Sequence, residues 1–232
     1  MTETLFHNAT GLPSEGMVST ARDLAALARA TIIDHPQHYG IYAEKYFTHN
    51  GIRQPNRNRL LWRDSSVDGL KTGHTEASGY CLVASAERRG MRLIAVVLGT
   101  DSDQARARET QKLLSYGFRN FETKRLYEPG TALKENARVW YGSADSLNLV
   151  VDQPIVLTFQ RGSEKNLTAE VVVPGQLQAP IAAGERLGKL RISLGDELLI
   201  EQPLVADRDI AAGNLFKRLW DWLTLFFNGI FA

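Results

Sequence analysis

Residues 93–98 read Leu-Ile-Ala-Val-Val-Leu, six apolar side chains without a polar interruption. Alternate residues of a strand point to opposite sides of a sheet, so such a run has no solvent face and calls for cover on both sides. A second β-type run at 80–86 precedes it, and the polar Glu87-Arg88-Arg89-Gly90 between them reads as a hairpin turn. Over 104–121, Leu113, Leu114, Phe118 and Phe121 recur at helical spacing, with Arg106, Arg108, Glu109 and Lys112 on the remaining circumference. The expectation is a central strand at 93–98 with an amphipathic helix laid over it.

A second helix is expected upstream, over 19–33. Ser19 or Thr20 can cap its free N–H groups, Asp23 suits its positive end, and Leu24, Leu27, Ala28 and Ile32 share a face before Asp34 and Pro36 stop it. A polar connection follows, with Asn50-Gly51 as a turn signal and Arg53, Arg57 and Arg59 clustered as in a surface loop beside something anionic. After residue 121 the texture changes to short alternating runs, at 155–159, 190–194 and, past the turn Gly195-Asp196, 198–200. Several short strands at this spacing suggest a small β-sandwich, and no His, Cys or paired carboxylates concentrate there.

The last eighteen residues, 215–232, form one more amphipathic pattern. On a helical wheel Lys217, Asp221, Thr224 and Asn228 fall in one narrow arc with Arg218 beside it, while Phe216, Trp220, Trp222, Phe226, Phe227 and Phe231 enrich the rest. The segment is too charged to span a bilayer and reads as an interfacial anchor. If half its apolar residues each gain roughly 1 kcal/mol in lipid, attachment is worth about 5–6 kcal/mol, comparable to one acyl chain and reversible unless two copies pair.

Composition excludes other classes. Lys and Arg number 27 against 26 Asp and Glu, a net charge of +1, so no bulk field draws the chain to nucleic acid. Cys81 is the single cysteine, which leaves no internal disulfide, and no Cys/His cluster has zinc spacing. His35 and His38 flank Pro36 in a turn-like stretch that reads as solvated loop. Neither metal nor cofactor is expected. No apolar stretch flanked by positive charge opens the chain, so no signal peptide is visible.

Chemistry concentrates at Val67-Asp68-Gly69-Leu70-Lys71-Thr72-Gly73-His74-Thr75, which holds the Lys-Thr-Gly triplet of penicillin-binding proteins and serine β-lactamases directly before the hairpin. Together with Ser19-Thr20-Ala21-Arg22-Asp23, Asn50-Gly51-Ile52-Arg53-Gln54, Asn56-Arg57-Asn58 and residues 68–86, it makes the chain resemble the low-molecular-mass D-alanyl-D-alanine carboxypeptidases, the penicillin-binding protein 5 and 6 group. The resemblance runs over nearly the whole chain, and implies an α/β domain of the transpeptidase type at 1–120, a β-sandwich at 121–211 and an anchor helix at 212–232.

What the resemblance further implies is serine acyl transfer on the D-Ala-D-Ala end of peptidoglycan stem pentapeptides, with β-lactams acylating the same serine. Lys71 would hold positive charge near the nucleophile, Thr72 would hydrogen-bond the terminal carboxylate, and the backbone N–H of His74 beyond Gly73 would be an oxyanion donor. Arg106 resembles the family's carboxylate-facing arginine, and Arg57 lies in a loop lining the cleft. The implied location is the periplasmic face of the cytoplasmic membrane, with a homodimer as an option for the anchor helices.

The same resemblance exposes a gap. The family needs a Ser-x-x-Lys, whose serine is the nucleophile, and a Ser-x-Asn, both before Lys-Thr-Gly. No serine here is followed three residues later by lysine, and the single Ser-x-Asn, Ser146-Leu147-Asn148, lies in the β region. The expectation is that Met1 is an internal methionine of a longer enzyme and that this chain alone is inactive. The competing reading is a non-catalytic scaffold at the cell wall. A class A β-lactamase relative fits poorly, since those enzymes have no β-sandwich or anchor after the catalytic domain.

Overall fold

The computed structural model describes residues 1–231, with side chains through Phe227. Internal contacts divide the chain into two units, Met1–Glu122 and Thr123 onward.

The first unit runs α1 (Ala21–Asp34), α2 (Pro36–Tyr39), β1 (Tyr46–His49), β2 (Ile52–Pro55), α3 (Leu60–Arg63), β3 (Val67–Thr75), β4 (Gly79–Arg88), β5 (Met91–Thr100) and α4 (Asp103–Asn120). Helix α1 starts where the side chain of Thr20 accepts the N–H of Asp23 at 3.2 Å. Asp23, expected only to favour the helix dipole, is buried and also accepts the N–H of Glu3 and the hydroxyl of Thr4. Leu27 stays exposed although it shares the apolar face of α1.

The polar connection after α1 is more regular than expected. Asn50 and Gly51 both have positive φ, 49° and 75°, the combination a tight hairpin turn needs, and β1 and β2 pair across them. Exposed side chains at every position of these strands hid the alternation by which half-buried strands are read.

Strands β3, β4 and β5 form an antiparallel sheet in that order. The apolar run at 93–98 was expected to be central. Among the described residues it pairs with β4 alone, and the strand with a partner on each side is β4, whose Leu82, Ala84, Ser85 and Ala86 are buried. Apolarity reports cover on the faces of a strand rather than pairing at its edges, and α1 and α4 supply that cover for β5. Leu98, toward the end of the strand, remains 40% exposed. The fit of α4 depends on Gly117, where a Cβ would stand 2.5 Å from a methyl carbon of Leu93. Ser102 caps α4 by accepting the N–H of Ala105. Leu60, Leu61, Val67, Leu82, Ala95, Ala107 and Leu114 fill the core.

The second unit is built on a six-stranded sheet, ordered β10 (Leu167–Val172), β12 (Arg186–Leu194), β13 (Glu197–Ala206), β8 (Ser146–Val150), β7 (Ala132–Trp140) and β11 (Leu177–Gln178). A two-stranded sheet, β6 (Phe121–Tyr127) with β9 (Ile155–Gln160), completes it. In β9 buried and exposed residues alternate without exception, so Ile155, Leu157 and Phe159 join Leu147, Leu149, Leu190, Ile192 and Leu204 in one core.

The chain ends in α5 (Leu215–Phe231). No helix among the described residues is long and apolar enough to cross a membrane. Within the polar arc of α5, Lys217 and Asp221 face inward: Asp221 is 1% exposed, accepts both the N–H of Tyr141 at 2.7 Å and the ammonium of Lys217 at 2.8 Å, and Lys217 reaches on to Asp145 at 2.6 Å. Phe216, Trp220, Trp222, Phe226 and Phe227 are consequently turned outward, each more than half exposed. Asn228 and Phe231 lie outside the residues whose side chains are described.

Candidate active site

The Lys-Thr-Gly triplet occupies β3, an edge strand whose only ladder partner among the described residues is β4. Lys71 pairs with Val83, Thr72 with Leu82, Gly73 with Cys81 and His74 with Tyr80. Thr72 is buried between the exposed Lys71 and Gly73, as strand alternation requires, and His74, on the same face as Thr72 but nearer the strand end, is exposed. These four, with Arg57, Cys81 and other neighbours, line a cleft of about 720 Å3. An edge strand beside a cleft presents unpaired backbone groups, the arrangement by which an extended peptide can be added to a sheet.

Three sets of contacts fix this strand. At its start Asp68 accepts the hydroxyl of Tyr39 at 2.8 Å and the guanidinium of Arg92 at 2.7 Å, and Arg92 also reaches Ser85 and Glu87. Burial pushes the Tyr39 hydroxyl up to about 12, so it remains a donor to Asp68 throughout the neutral range. One residue on, the side-chain amide of Asn58, 1% exposed, donates to the carbonyl of Gly69 at 2.9 Å, while its oxygen accepts the N–H of Leu60. At the last residue of the triplet, Arg106 on α4 donates to the carbonyl of Gly73 at 3.0 Å and lies 5.4 Å from the centroid of the Tyr80 ring.

Electrostatics at Lys71 follow from this crowding. Its ammonium donates to the carbonyl of Thr72. Partial burial lowers its pKa from the ordinary 10.5, and the positive charges of Arg57 and Arg106 lower it further. A lysine so placed gives up a proton more readily than a free one, the property a proton-transferring lysine needs.

Each residue singled out in the sequence can now be located. Lys71, Thr72, Gly73, His74 and Arg57 share the cleft. Arg106, expected on the polar face of its helix and toward a ligand carboxylate, is buried, with its guanidinium on backbone carbonyls behind β3; it lines a neighbouring cavity with Arg57. The ring of His74 packs on Tyr80 at 3.9 Å between centroids. Among the described residues no cluster of His, Cys, Asp and Glu could hold a metal. Asn58, Tyr39 and Arg92 had no assigned role in holding the strand, although Asn56-Arg57-Asn58 next to the apolar pair Leu60-Leu61 is a local hint of a polar group drawn inward. Tyr39 and Arg92 lie 29 and 24 positions from Asp68, and nothing local ties them together.

Comparison with known proteins agrees with the motif. Residues 1–102 match the D-alanyl-D-alanine carboxypeptidase family model, and residues 121–212 match that of the penicillin-binding protein 5 C-terminal domain. The chain is 42% identical to the D-alanyl-D-alanine carboxypeptidase DacC of Escherichia coli over all of its own length and 58% of that protein's. To DacF of Bacillus subtilis it is 32% identical over 94% of its length and 58% of the relative's. Penicillin binding protein 5 from Haemophilus influenzae superposes with a TM-score of 0.79 at 40% identity, over 90% of this chain and 61% of that one. The chain thus spans less than two thirds of the curated relatives it matches. The edge strand with Lys-Thr-Gly, the β unit that follows and these similarities converge: the chain belongs to the D-alanyl-D-alanine carboxypeptidase family of penicillin-binding proteins.

Proposed function

We propose that the first unit supplies the Lys-Thr-Gly side of a serine-type D-Ala-D-Ala carboxypeptidase site, which removes the terminal D-Ala from peptidoglycan stem pentapeptides and is blocked by β-lactams. The observation that carries this reading is the edge strand β3, with Lys71 and Thr72 lining a cleft of about 720 Å3 beside Arg57. In that role the peptide adds along β3, Thr72 and Arg57 hold its terminal carboxylate, Lys71 moves the proton and the N–H of His74 stabilises the oxyanion. Arg106 contributes through Gly73, by holding the strand in register.

The nucleophile is the missing part. With no Ser-x-x-Lys in the 232 residues, the chain by itself neither hydrolyses the peptide nor forms an acyl-enzyme. Loss of such a nucleophile costs on the order of 10⁶ in turnover. The outward aromatic face of α5 supports attachment to a lipid surface, and by family analogy that surface is the periplasmic face of the cytoplasmic membrane. Pairing of two α5 helices is a further option there. A second reading, a wall-associated scaffold without catalysis, draws support from the absent nucleophile together with an intact β unit and an outward-facing α5.

The test is incubation with a fluorescent penicillin followed by a denaturing gel, on this chain and on the longest open reading frame product that contains it. Labelling of the longer product alone is the expected result. Labelling of the short chain would place a nucleophile within these residues, and labelling of neither would favour the scaffold.

A further inference from the structure

A second cavity in the first unit, about 650 Å3, lies next to the Lys71 cleft and within the roughly 300–1,000 Å3 typical of small-molecule sites. Four guanidiniums border it, those of Arg57, Arg59, Arg63 and Arg106, against the one carboxylate of Asp103. Asp103 is already engaged by Arg59 at 2.6 Å, and Arg106 by the carbonyl of Gly73. Arg57 and Arg63 have no hydrogen bond or ion pair among the described residues. Like charges gathered on one concave wall repel one another; burial chiefly lowers the Arg106 pKa, Asp103 opposes that, and the charge of Arg57 adds a smaller push in the same direction as burial. An arrangement of this kind is relieved by an anion.

The fold holds these arginines outward. From Arg57 to Arg63 the buried residues are Asn58, Leu60 and Leu61, so core packing turns Arg57, Arg59, Trp62 and Arg63 to the surface. Trp62 is 41% exposed and its ring is steadied edge-on by Tyr46 at 5.8 Å, which gives the cavity an apolar wall that does not need to order on binding. The cations are all arginines, whose planar fork matches a carboxylate in two parallel hydrogen bonds. Arg57 borders both this cavity and the Lys71 cleft, so the two are contiguous around one side chain.

We infer that this cavity is a second anion subsite, separate from the Lys71–Thr72 cleft, that takes a ligand bearing two or more carboxylates on the unpaired Arg63 and on Arg59, whose guanidinium it shares with Asp103, against the face of Trp62. It goes beyond the proposed carboxypeptidase site, which accounts for one terminal carboxylate and assigns nothing to Arg59, Arg63 or Trp62.

The test is calorimetric titration of the full chain with citrate at low ionic strength, with acetate at matched ionic strength as the monocarboxylate control. Citrate should bind saturably and acetate should not. Arg63→Gln should weaken citrate binding roughly tenfold or more, the scale of one charge-assisted contact, and Trp62→Ala should also weaken it, while Lys71→Ala leaves it unchanged. Because Arg63 has no partner to lose, Arg63→Gln should keep the wild-type melting temperature; Arg59→Lys, which retains the charge but not the fork, provides a second variant. The subsite is overturned if citrate gives no saturable heat, if both arginine variants bind as wild type does, or if Lys71→Ala weakens binding as much as Arg63→Gln. Tighter binding of inorganic pyrophosphate than of citrate overturns the carboxylate assignment. The Lys71 cleft is tested separately by an acyl-D-Ala-D-Ala titration, in which Lys71→Ala and not Arg63→Gln should matter.

Discussion

The side-chain amide of Asn58 donates to the carbonyl of Gly69 at 2.9 Å, in a site where Asn58 is 1% exposed. One buried amide therefore ties the arginine-bearing loop to the strand that carries Lys71 two residues later. Replacement by alanine leaves the Gly69 carbonyl and the Leu60 N–H without their partner, at a cost of about 1–3 kcal/mol for each buried group left unsatisfied. Asn58→Ala should lower the urea midpoint of the first unit accordingly, and an unchanged midpoint would show that the bond contributes nothing.

Gly69 has a neighbour on its other side. A Cβ there would stand 2.5 Å from the Tyr39 hydroxyl, which Asp68 holds in place, so the ring cannot simply swing away. Gly69→Ala should destabilise by roughly 1–3 kcal/mol, the cost of overpacking. A Tyr39→Phe background, lacking the hydroxyl, should recover part of that loss in the same unfolding measurement.

At Lys71, burial and then the charges of Arg57 and Arg106 depress the ammonium pKa below 10.5. Arg57→Gln removes one of those charges and should move the value back up, as read from the Lys71 side-chain signals across a pH titration by NMR. The sign for stability follows from proton binding. Between the depressed folded value and 10.5 the unfolded chain binds more protons, so this group's contribution improves as pH rises through that window and is least favourable below it. A titration unaltered by Arg57→Gln would remove Arg57 from the account.

Asp221 carries the opposite sign. Burial raises its pKa, but hydrogen bonds from Lys217 and the Tyr141 N–H and the charges of Lys217 and Arg138 outweigh that, and the net shift is below 3.8. Its contribution is therefore fully present above the ordinary carboxylate range and is lost as pH falls through the depressed value. The hydrogen-exchange protection factors of the α5 amides, taken against intrinsic rates at each pH, should be high at neutral pH and fall in acid, and Asp221→Ala should show the reduced protection already at pH 7. Equal protection in variant and wild type would mean that other contacts hold the helix.

The outward face of α5 predicts lipid attachment. Trp220→Ser and Trp222→Ser should each weaken cosedimentation with phospholipid vesicles by about 1–2 kcal/mol, roughly 5- to 30-fold. If neither change matters, these rings face something other than lipid.

The sequence by itself determined the elements whose signal is local. A cap at Thr20, the turn residues of the β4–β5 hairpin, helical spacing in α4 and period-two alternation in β9 each act within a few residues, and all appear in the structure. The Lys-Thr-Gly triplet was legible for the same reason. Tertiary structure alone decided which strand is central, because apolarity of 93–98 records cover by helices and is silent about edge pairing. It also decided the roles of charged groups. Arg106 and Asp221 read as surface residues on a wheel, yet each is buried because a distant backbone group, the Gly73 carbonyl and the Tyr141 N–H, offers the hydrogen bond that offsets its desolvation. Such partners lie 33 and 80 positions away, a separation that periodicity cannot encode and only the folded chain closes.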